Sequence, residues 1–471
     1  MPRRLRIMFA TATTLGLCII IFQLRLLFYD RTSLSLSGNS HYCHTIAFFF
    51  QQKVTKYFYD YLSHPDDDIP VVLWWTPFGN NNQVKTCGND KCYFTHNRAF
   101  ENNVRLKSIL FYGSNLRIHD LPNWRSSAVS WGLLHEESPR NNPILVHDKA
   151  LNLFNYSSTF SRFSDVPLTL LDLFSLEELI AKSYYVPTKE KSALIRAKNY
   201  APVLYIQSDC DTASDRDRYV LELMKYIRID SYGTCVNNAR LDDRFKENYL
   251  NILNNREFLS FVAKYKFTIA FENAICDDYI TEKLWRPLIV GSVPIYYGSP
   301  SFKVSYIKSD WLPNNKSAIS ILDFTGPTTL SEFLHKLVRN DSAYEEYLSH
   351  KLNEREYRVT NSALLRALER RSTAIPHEFG NYVEEFECLI CEQIHNNRES
   401  KIHTVTKKQY DCPLPTDPIT GGISKRNWWI EQWNIEKCGA KLLAHYITNN
   451  ISINIKYFNE QKMNMYDNNE C

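Results

Sequence analysis

The chain is poor in glycine, with 14 among 471 residues, and it has no GxGxxG stretch and no GxxxxGK[ST] loop. A nucleotide would have to be held without either of those backbone phosphate cradles. Charge of one sign is also lacking. Lysine and arginine exceed aspartate and glutamate by only three, so there is no broad basic footprint for nucleic acid. No internal repeat is present. What is plentiful is apolar side chain: 44% of residues are hydrophobic and 14% aromatic, the composition of a packed globular protein. The length exceeds what one core usually serves, which predicts two domains.

The first informative segment is the N-terminus. Arg3, Arg4 and Arg6 precede Ile7–Leu24, a run of 18 residues in which only Gln23 is strongly polar. At helical rise such a run nearly spans a bilayer. The positive flank favours a cytoplasmic N-terminus and a lumenal remainder. Leu24–Phe28 offers no small-residue cleavage site, so an uncleaved anchor is preferred to a signal peptide. The expected order is a cytoplasmic tail at 1–6, a transmembrane signal anchor at 7–29 and a polar stem at 30–68.

Twelve cysteines and sequons at Asn155, Asn315, Asn340 and Asn450 fit that topology. Cys18 falls in the anchor, which leaves eleven lumenal cysteines, an odd number. Cys388 and Cys391 could form half a zinc site, but no second pair stands at a suitable spacing, so disulfides in an oxidising compartment are preferred. Cys87 and Cys92 bracket a Gly-Asn-Asp turn, a spacing that fits a small closed loop.

Continuous apolar runs predict buried strands at Val71–Trp75, Ser108–Tyr112, Ala128–Leu134, Val203–Ser208, Ile227–Tyr232, Lys266–Glu272, Val293–Tyr297 and Ala318–Leu322. Helical patterns lie between them at Ser214–Ile227, Asp242–Lys264, Thr328–Asn340 and Ser342–Leu352. Alternation of this kind implies parallel α/β sheets. The polar stretch Pro187–Ala201 reads as a hinge. The pattern weakens after about residue 392.

Three constellations could carry chemistry. Ser214-Asp-Arg-Asp217 resembles a capping box. It puts Arg216 and Arg218 in a first helical turn, where the dipole and a guanidinium together suit a diphosphate. A surface arginine paired with Asp215 or Asp217 is the plain alternative. Next, Phe271-Glu-Asn273 ends a strand, and a helix beginning near Tyr279 sets Tyr279, Glu282, Lys283 and Arg286 within one arc. Such groups can bind ribose and phosphate at the carboxyl end of a strand. An amphipathic helix with ordinary charge pairing gives the same pattern, and Pro287 predicts an early end or kink. Third, Glu137 follows the strand Ala128–Leu134 and could be a general base in a cleft or a solvated loop acid. Asp209-Cys-Asp211 competes with Arg216, since a DxD after a strand can hold a divalent metal against a diphosphate.

With these residues in view the chain resembles the α1,3-fucosyltransferases, glycosyltransferase family ten. The marks are FEN at 271–273, DYITEKLW at 278–285, GSVPIYYGSP at 291–300, DSYG at 230–233, ESP at 137–139 and the Cys388/Cys391 pair. The resemblance covers roughly residues 70–391. It implies the GT-B type of α/β fold, two facing Rossmann-like domains with parallel sheets: an acceptor-side domain at 69–198 and a GDP-fucose-binding domain at 199–391, followed by an extension of unknown role at 392–471. It also implies inverting transfer from GDP-β-L-fucose, with no cofactor and no essential metal. Glu137 then resembles the catalytic base. Arg216 and Lys283 resemble the diphosphate binders, Asn273, Tyr279 and Glu282 further donor-site residues, and Tyr232 and Ser208 lie near the nucleotide. HEESP, SDCDTASDRDRYV and AFENAICDDY are similar to the divergent subgroup of fucosyltransferases ten and eleven. For the family the expected acceptor is GlcNAc of a glycoprotein N-glycan, in α1,3 linkage. For the subgroup, Ser/Thr of cysteine-rich protein domains is the alternative. A non-catalytic lumenal binder is the third reading. The implied location is the Golgi membrane, or else the endoplasmic reticulum.

Overall fold

Why the apolar runs become strands is visible in what covers them. A computed structural model describes residues 68–79, 82–245, 255–300, 311–353, 358–371, 380–396, 403–423 and 426–471. Six strands form the first sheet: β1 (Val71–Trp74), β2 (Gln83–Cys87), β3 (Asp90–Thr95), β4 (Leu106–Tyr112), β5 (Ser130–His135) and β6 (Tyr156–Thr159), in the order β2-β3-β1-β4-β5-β6. All neighbours are parallel except the β2/β3 hairpin. The second sheet is wholly parallel, in the order β11-β10-β9-β7-β8. Its members are β7 (Val203–Gln207), β8 (Ile229–Gly233), β9 (Phe267–Phe271), β10 (Val293–Tyr297) and β11 (Ile319–Ser320). The α/β expectation with parallel-rich sheets is met. The expected anchor at 7–29 lies outside the described residues, and among the described ones no helix is long and apolar enough to cross a membrane.

In the second sheet alternate side chains enter two separate cores. Val203, Tyr205, Phe267, Ile269, Phe271 and Ile295 pack with Val220, Leu223, Leu330 and Leu334 on one face. Leu204, Ala270 and Tyr296 pack with Phe258, Leu284, Trp285 and Leu288 on the other. A strand covered twice must be apolar at every position, which is why these strands were easy to find.

The hairpin and β6 were not predicted. β2 and β6 are mostly polar or half exposed, as befits strands at the two margins of a sheet, and β3, between β2 and β1, alternates such residues with buried Cys92 and Phe94. The hairpin also corrects the pairing of Cys87 and Cys92. They do not close a local loop. In the register Lys85↔Cys92 and Cys87↔Asp90 they share one face of the hairpin. That face meets the helix Gly380–His395, whose Cys388 and Cys391 are one turn apart. The bonds are Cys87–Cys388 and Cys92–Cys391. The same helix puts Phe386 and Ile390 into the first core beside Val72, Trp74 and Leu134. The chain therefore returns to the first lobe before residue 391.

Local corrections follow from caps. Pro187–Ala201 contains the helix Thr188–Arg196. The helix expected from Ser214 is Arg216–Leu223, with Asp215 at the N-cap in the left-handed region (φ 51°). Ser214 instead donates its hydroxyl to the Glu272 carbonyl at 2.7 Å. The helix expected from Tyr279 is Glu282–Val290, capped by Thr281, whose side chain accepts from the Lys283 amide. It runs past Pro287 and ends at Gly291, where φ is 76°.

Candidate active site

The two lobes face each other across a cavity of about 1520 Å³. Its floor is the carboxyl end of the second sheet, the usual place for a ligand in parallel α/β structures. Ser208, Arg216, Asn273, Tyr279, Glu282 and Lys283 line it from the second lobe, and Glu137 lines it from the first. Seven of the expected site residues thus converge, although they lie in five separate segments of sequence. Tyr232 is the exception. Strand alternation turns it toward the helix Arg256–Val262, where its ring meets Phe261 edge-on at 5.4 Å and its hydroxyl pairs with that of Tyr265 at 3.1 Å. It borders a separate pocket of about 580 Å³.

The cationic wall is built from strand ends. Arg216 is fully buried. It donates to the Phe271 carbonyl at 3.0 Å and the Asp209 carbonyl at 2.6 Å, so it ties the ends of β7 and β9 together. Its Nε, the Nε of Arg286 and the Oδ1 of Asn273 are buried without a hydrogen-bond partner among the described residues. All three residues line the cavity. Buried orphan polar atoms are uncommon and costly, and a polar ligand in the cavity would satisfy them. Sequence reasoning placed Arg286 on the helix face but did not single it out.

Lys283 stands between carboxylates. Its Nζ is 3.2 Å from Glu282, 3.1 Å from the Thr281 hydroxyl and 3.7 Å from Glu272. Burial alone would lower the ammonium, but Glu282 and Glu272 outweigh it and hold it raised. Burial likewise would raise Glu282, but Lys283 and Arg286 keep it well below the usual carboxylate range. Glu272 is pushed up by burial. It accepts from the Thr281 amide at 2.9 Å and hydroxyl at 2.8 Å, which fixes the start of the helix that carries Lys283. Asp172 nearby is pushed up by burial and by Glu282.

Opposite stands Glu137, just past the end of β5. The Tyr279 hydroxyl donates to its Oε2 at 3.1 Å across the lobe boundary. Burial, then Glu137 itself, raises Tyr279 well above an ordinary phenol, so it remains a donor. Glu136, one residue earlier, has a different fate. It accepts from Tyr112 at 2.5 Å, and burial pushes its carboxyl up to about 7. It does not line the cavity.

The residues that sequence set in competition pair with one another. Asp209 meets Arg140 at 3.1 Å and Arg216 at 3.7 Å, and Cys210 is bonded to Cys235. Asp211 offers its carbonyl to Trp429 at 2.8 Å. Arg218 pairs with Asp417 and Asp215. Among the sequons, Asn315, Asn340 and Asn450 are exposed. Asn155 spends its amide inside the fold, accepting from the Trp131 amide at 2.8 Å and donating to the His403 carbonyl at 3.0 Å.

A cation-lined cleft with one carboxylate on the facing lobe is the arrangement of an enzyme that moves a sugar from a nucleoside diphosphate to a hydroxyl. The chain belongs to glycosyltransferase family 10, the fucosyltransferases: its C-terminal model matches residues 195–409, and the fucosyltransferase N-terminal model matches residues 67–170. Among similar proteins, one from Rattus norvegicus called GDP-fucose protein O-fucosyltransferase 3 is 40% identical over 406 residues, covering 83% of this chain and 81% of its own. The protein of that name from Gallus gallus is 42% identical over 423 residues, covering 87% and 86%. A solved structure, described as an alpha1,3-fucosyltransferase with GDP, aligns at TM-score 0.39 and 15% identity over 72% of this chain and 94% of that one. The relatives' names overturn the expectation that the acceptor is GlcNAc of an N-glycan, because they specify a protein acceptor.

Proposed function

We propose that this enzyme transfers L-fucose from GDP-β-L-fucose to a serine or threonine hydroxyl of a protein. The observation that carries the reading is the opposition of Glu137 to Arg216, Lys283 and Arg286 across one cavity. The names of relatives sharing about two-fifths of their residues supply the acceptor class. In this reaction the acceptor oxygen attacks the anomeric carbon and its proton passes to Glu137. The carbon–oxygen bond to phosphate breaks, and GDP leaves with the electron pair. Attack opposite the leaving group inverts β to α. Charge growing on GDP meets fixed cations, which need little reorganisation as it develops. Five disulfides among the described residues support an oxidising, lumenal setting.

Two measurements test this reading. Mass spectrometry of acceptor proteins incubated with enzyme and GDP-fucose should find a deoxyhexose on Ser or Thr that survives N-glycosidase. Fucose confined to N-glycosidase-released glycans would refute it. Because Asp209 is already answered by two arginines, the proposal also includes metal-independent turnover. Excess EDTA should leave the rate within about twofold, since fixed cations supply the charge stabilisation. Abolition by EDTA, with recovery on adding Mg²⁺ or Mn²⁺, would sink that part.

A further inference from the structure

The segment 408–412 lies beyond or at the edge of the region that matches the family, yet it reaches the base. The Tyr410 hydroxyl donates to the Glu137 carbonyl at 2.7 Å. Glu137 is therefore held twice, by Tyr279 at its side chain and by Tyr410 at its backbone. Both tyrosine rings pack on Phe160, at 5.1 Å and 4.9 Å. Tyr410 also stacks on His135 at 5.3 Å. His135 is fully buried at the end of β5, and both its ring nitrogens lack a hydrogen-bond partner among the described residues.

The strap itself is fastened to both lobes. Ser161 donates to the Lys408 carbonyl at 3.0 Å, and Thr159 donates to that of Gln409. On the other side the Asp277 amide donates to the Asp411 carbonyl at 2.8 Å, and Cys412 is bonded to Cys276. Cys276 is three residues before Tyr279. The disulfide thus fixes the loop bearing one tyrosine to the strap bearing the other.

We infer that Tyr410 is a positioning residue for Glu137, and that the Cys276–Cys412 bond holds Tyr279 and Tyr410 in register on either side of it. The inference rests on Glu137 acting as the base proposed above. A carbonyl anchored at the residue itself restricts where its carboxylate can swing, and misplacement of a base by about an ångström costs rate rather than donor affinity.

The test is Tyr410→Phe in the full-length enzyme, which keeps the ring and deletes the hydroxyl. Expected is a fall in kcat of about tenfold with the KM for GDP-fucose within about twofold. Combined with Tyr279→Phe, the loss should be smaller than the product of the single losses, because both act through one group. The double variant Cys276→Ser/Cys412→Ser should reproduce the kcat loss with the donor KM retained. A purely structural tyrosine would lower thermal stability and leave kcat alone, and that result overturns the inference, as do losses that simply multiply. Glu137→Gln run in parallel separates the two levels. If it retains full kcat, the base assignment fails and the inference with it. If it is inactive while Tyr410→Phe is normal, only the inference fails.

Discussion

Glu137→Gln should lower kcat by about 10²- to 10⁴-fold, the range that a positioned general base supplies, and leave the KM for GDP-fucose nearly unchanged. The substitution is close to isosteric. Its side-chain carbonyl can still accept from Tyr279, the contact seen at 3.1 Å, so the lobe contact survives. What is lost is the ability to take the acceptor proton. Glu136→Gln is the informative partner variant. Burial pushes the Glu136 carboxyl up to about 7, a value suited to general-base work. It is turned to Tyr112 and away from the cavity. Geometry therefore decides, and Glu136→Gln should cost less than about tenfold. Steady-state GDP release with a protein acceptor checks both. A fully active Glu137→Gln, or a dead Glu136→Gln of normal stability, would move the base by one residue.

Lys283→Met should be nearly as damaging, with a fall of about 10²- to 10³-fold in kcat, comparable to removing one preorganised charge stabiliser. Unlike the first variant, it should also weaken donor binding. Glu272 and Glu282 both lie within 4 Å of the ammonium. Without it these carboxylates face the GDP diphosphate, and the nearby cations Arg286 and Arg216 only partly answer them. The sign of the pH effect follows. Glu282 is now held below its ordinary value, so its contribution to stability is present above that value and is lost as pH falls through the lowered one. Removing Lys283 raises the folded-state value, so acid unfolding should begin at higher pH in the variant. Kinetics together with acid denaturation followed by circular dichroism reads both effects. A variant with wild-type kcat and donor KM would exclude Lys283 from the diphosphate site.

How much of this was legible in sequence depended on whether an element is covered by its neighbours or by distant chain. The doubly covered strands announced themselves, because Val203–Gln207 and Phe267–Phe271 have no solvent face to require polarity. The marginal strands Gln83–Cys87 and Tyr156–Thr159 did not, since their residues suit a loop equally well. On the donor side the spacing of Glu282, Lys283 and Arg286 was readable, but Tyr279 was wrongly placed on the same helix. Asp278 takes a left-handed backbone (φ 63°) and Thr281 caps, so the helix starts later and leaves Tyr279 free to cross to Glu137. Tyr410, Glu272 and the partners of each cysteine were beyond reach. Their roles are contacts over long separations, and no local pattern encodes those.

One such separation bears on how the molecule is made. The helix Gly380–His395 supplies Phe386 and Ile390 to the core of the first lobe, and its cysteines bond to partners 301 and 299 residues upstream. During synthesis the first sheet therefore emerges long before the part that seals it. Nascent domains commonly fold in order from the N-terminus, but this one must wait for nearly the whole of its successor. Until then Trp74, Phe94 and Leu134 lack part of their cover and two thiols lack their mates. A fragment ending before residue 380 therefore lacks part of the first lobe's core and both of its disulfide partners there, and is an incomplete lobe rather than a small domain.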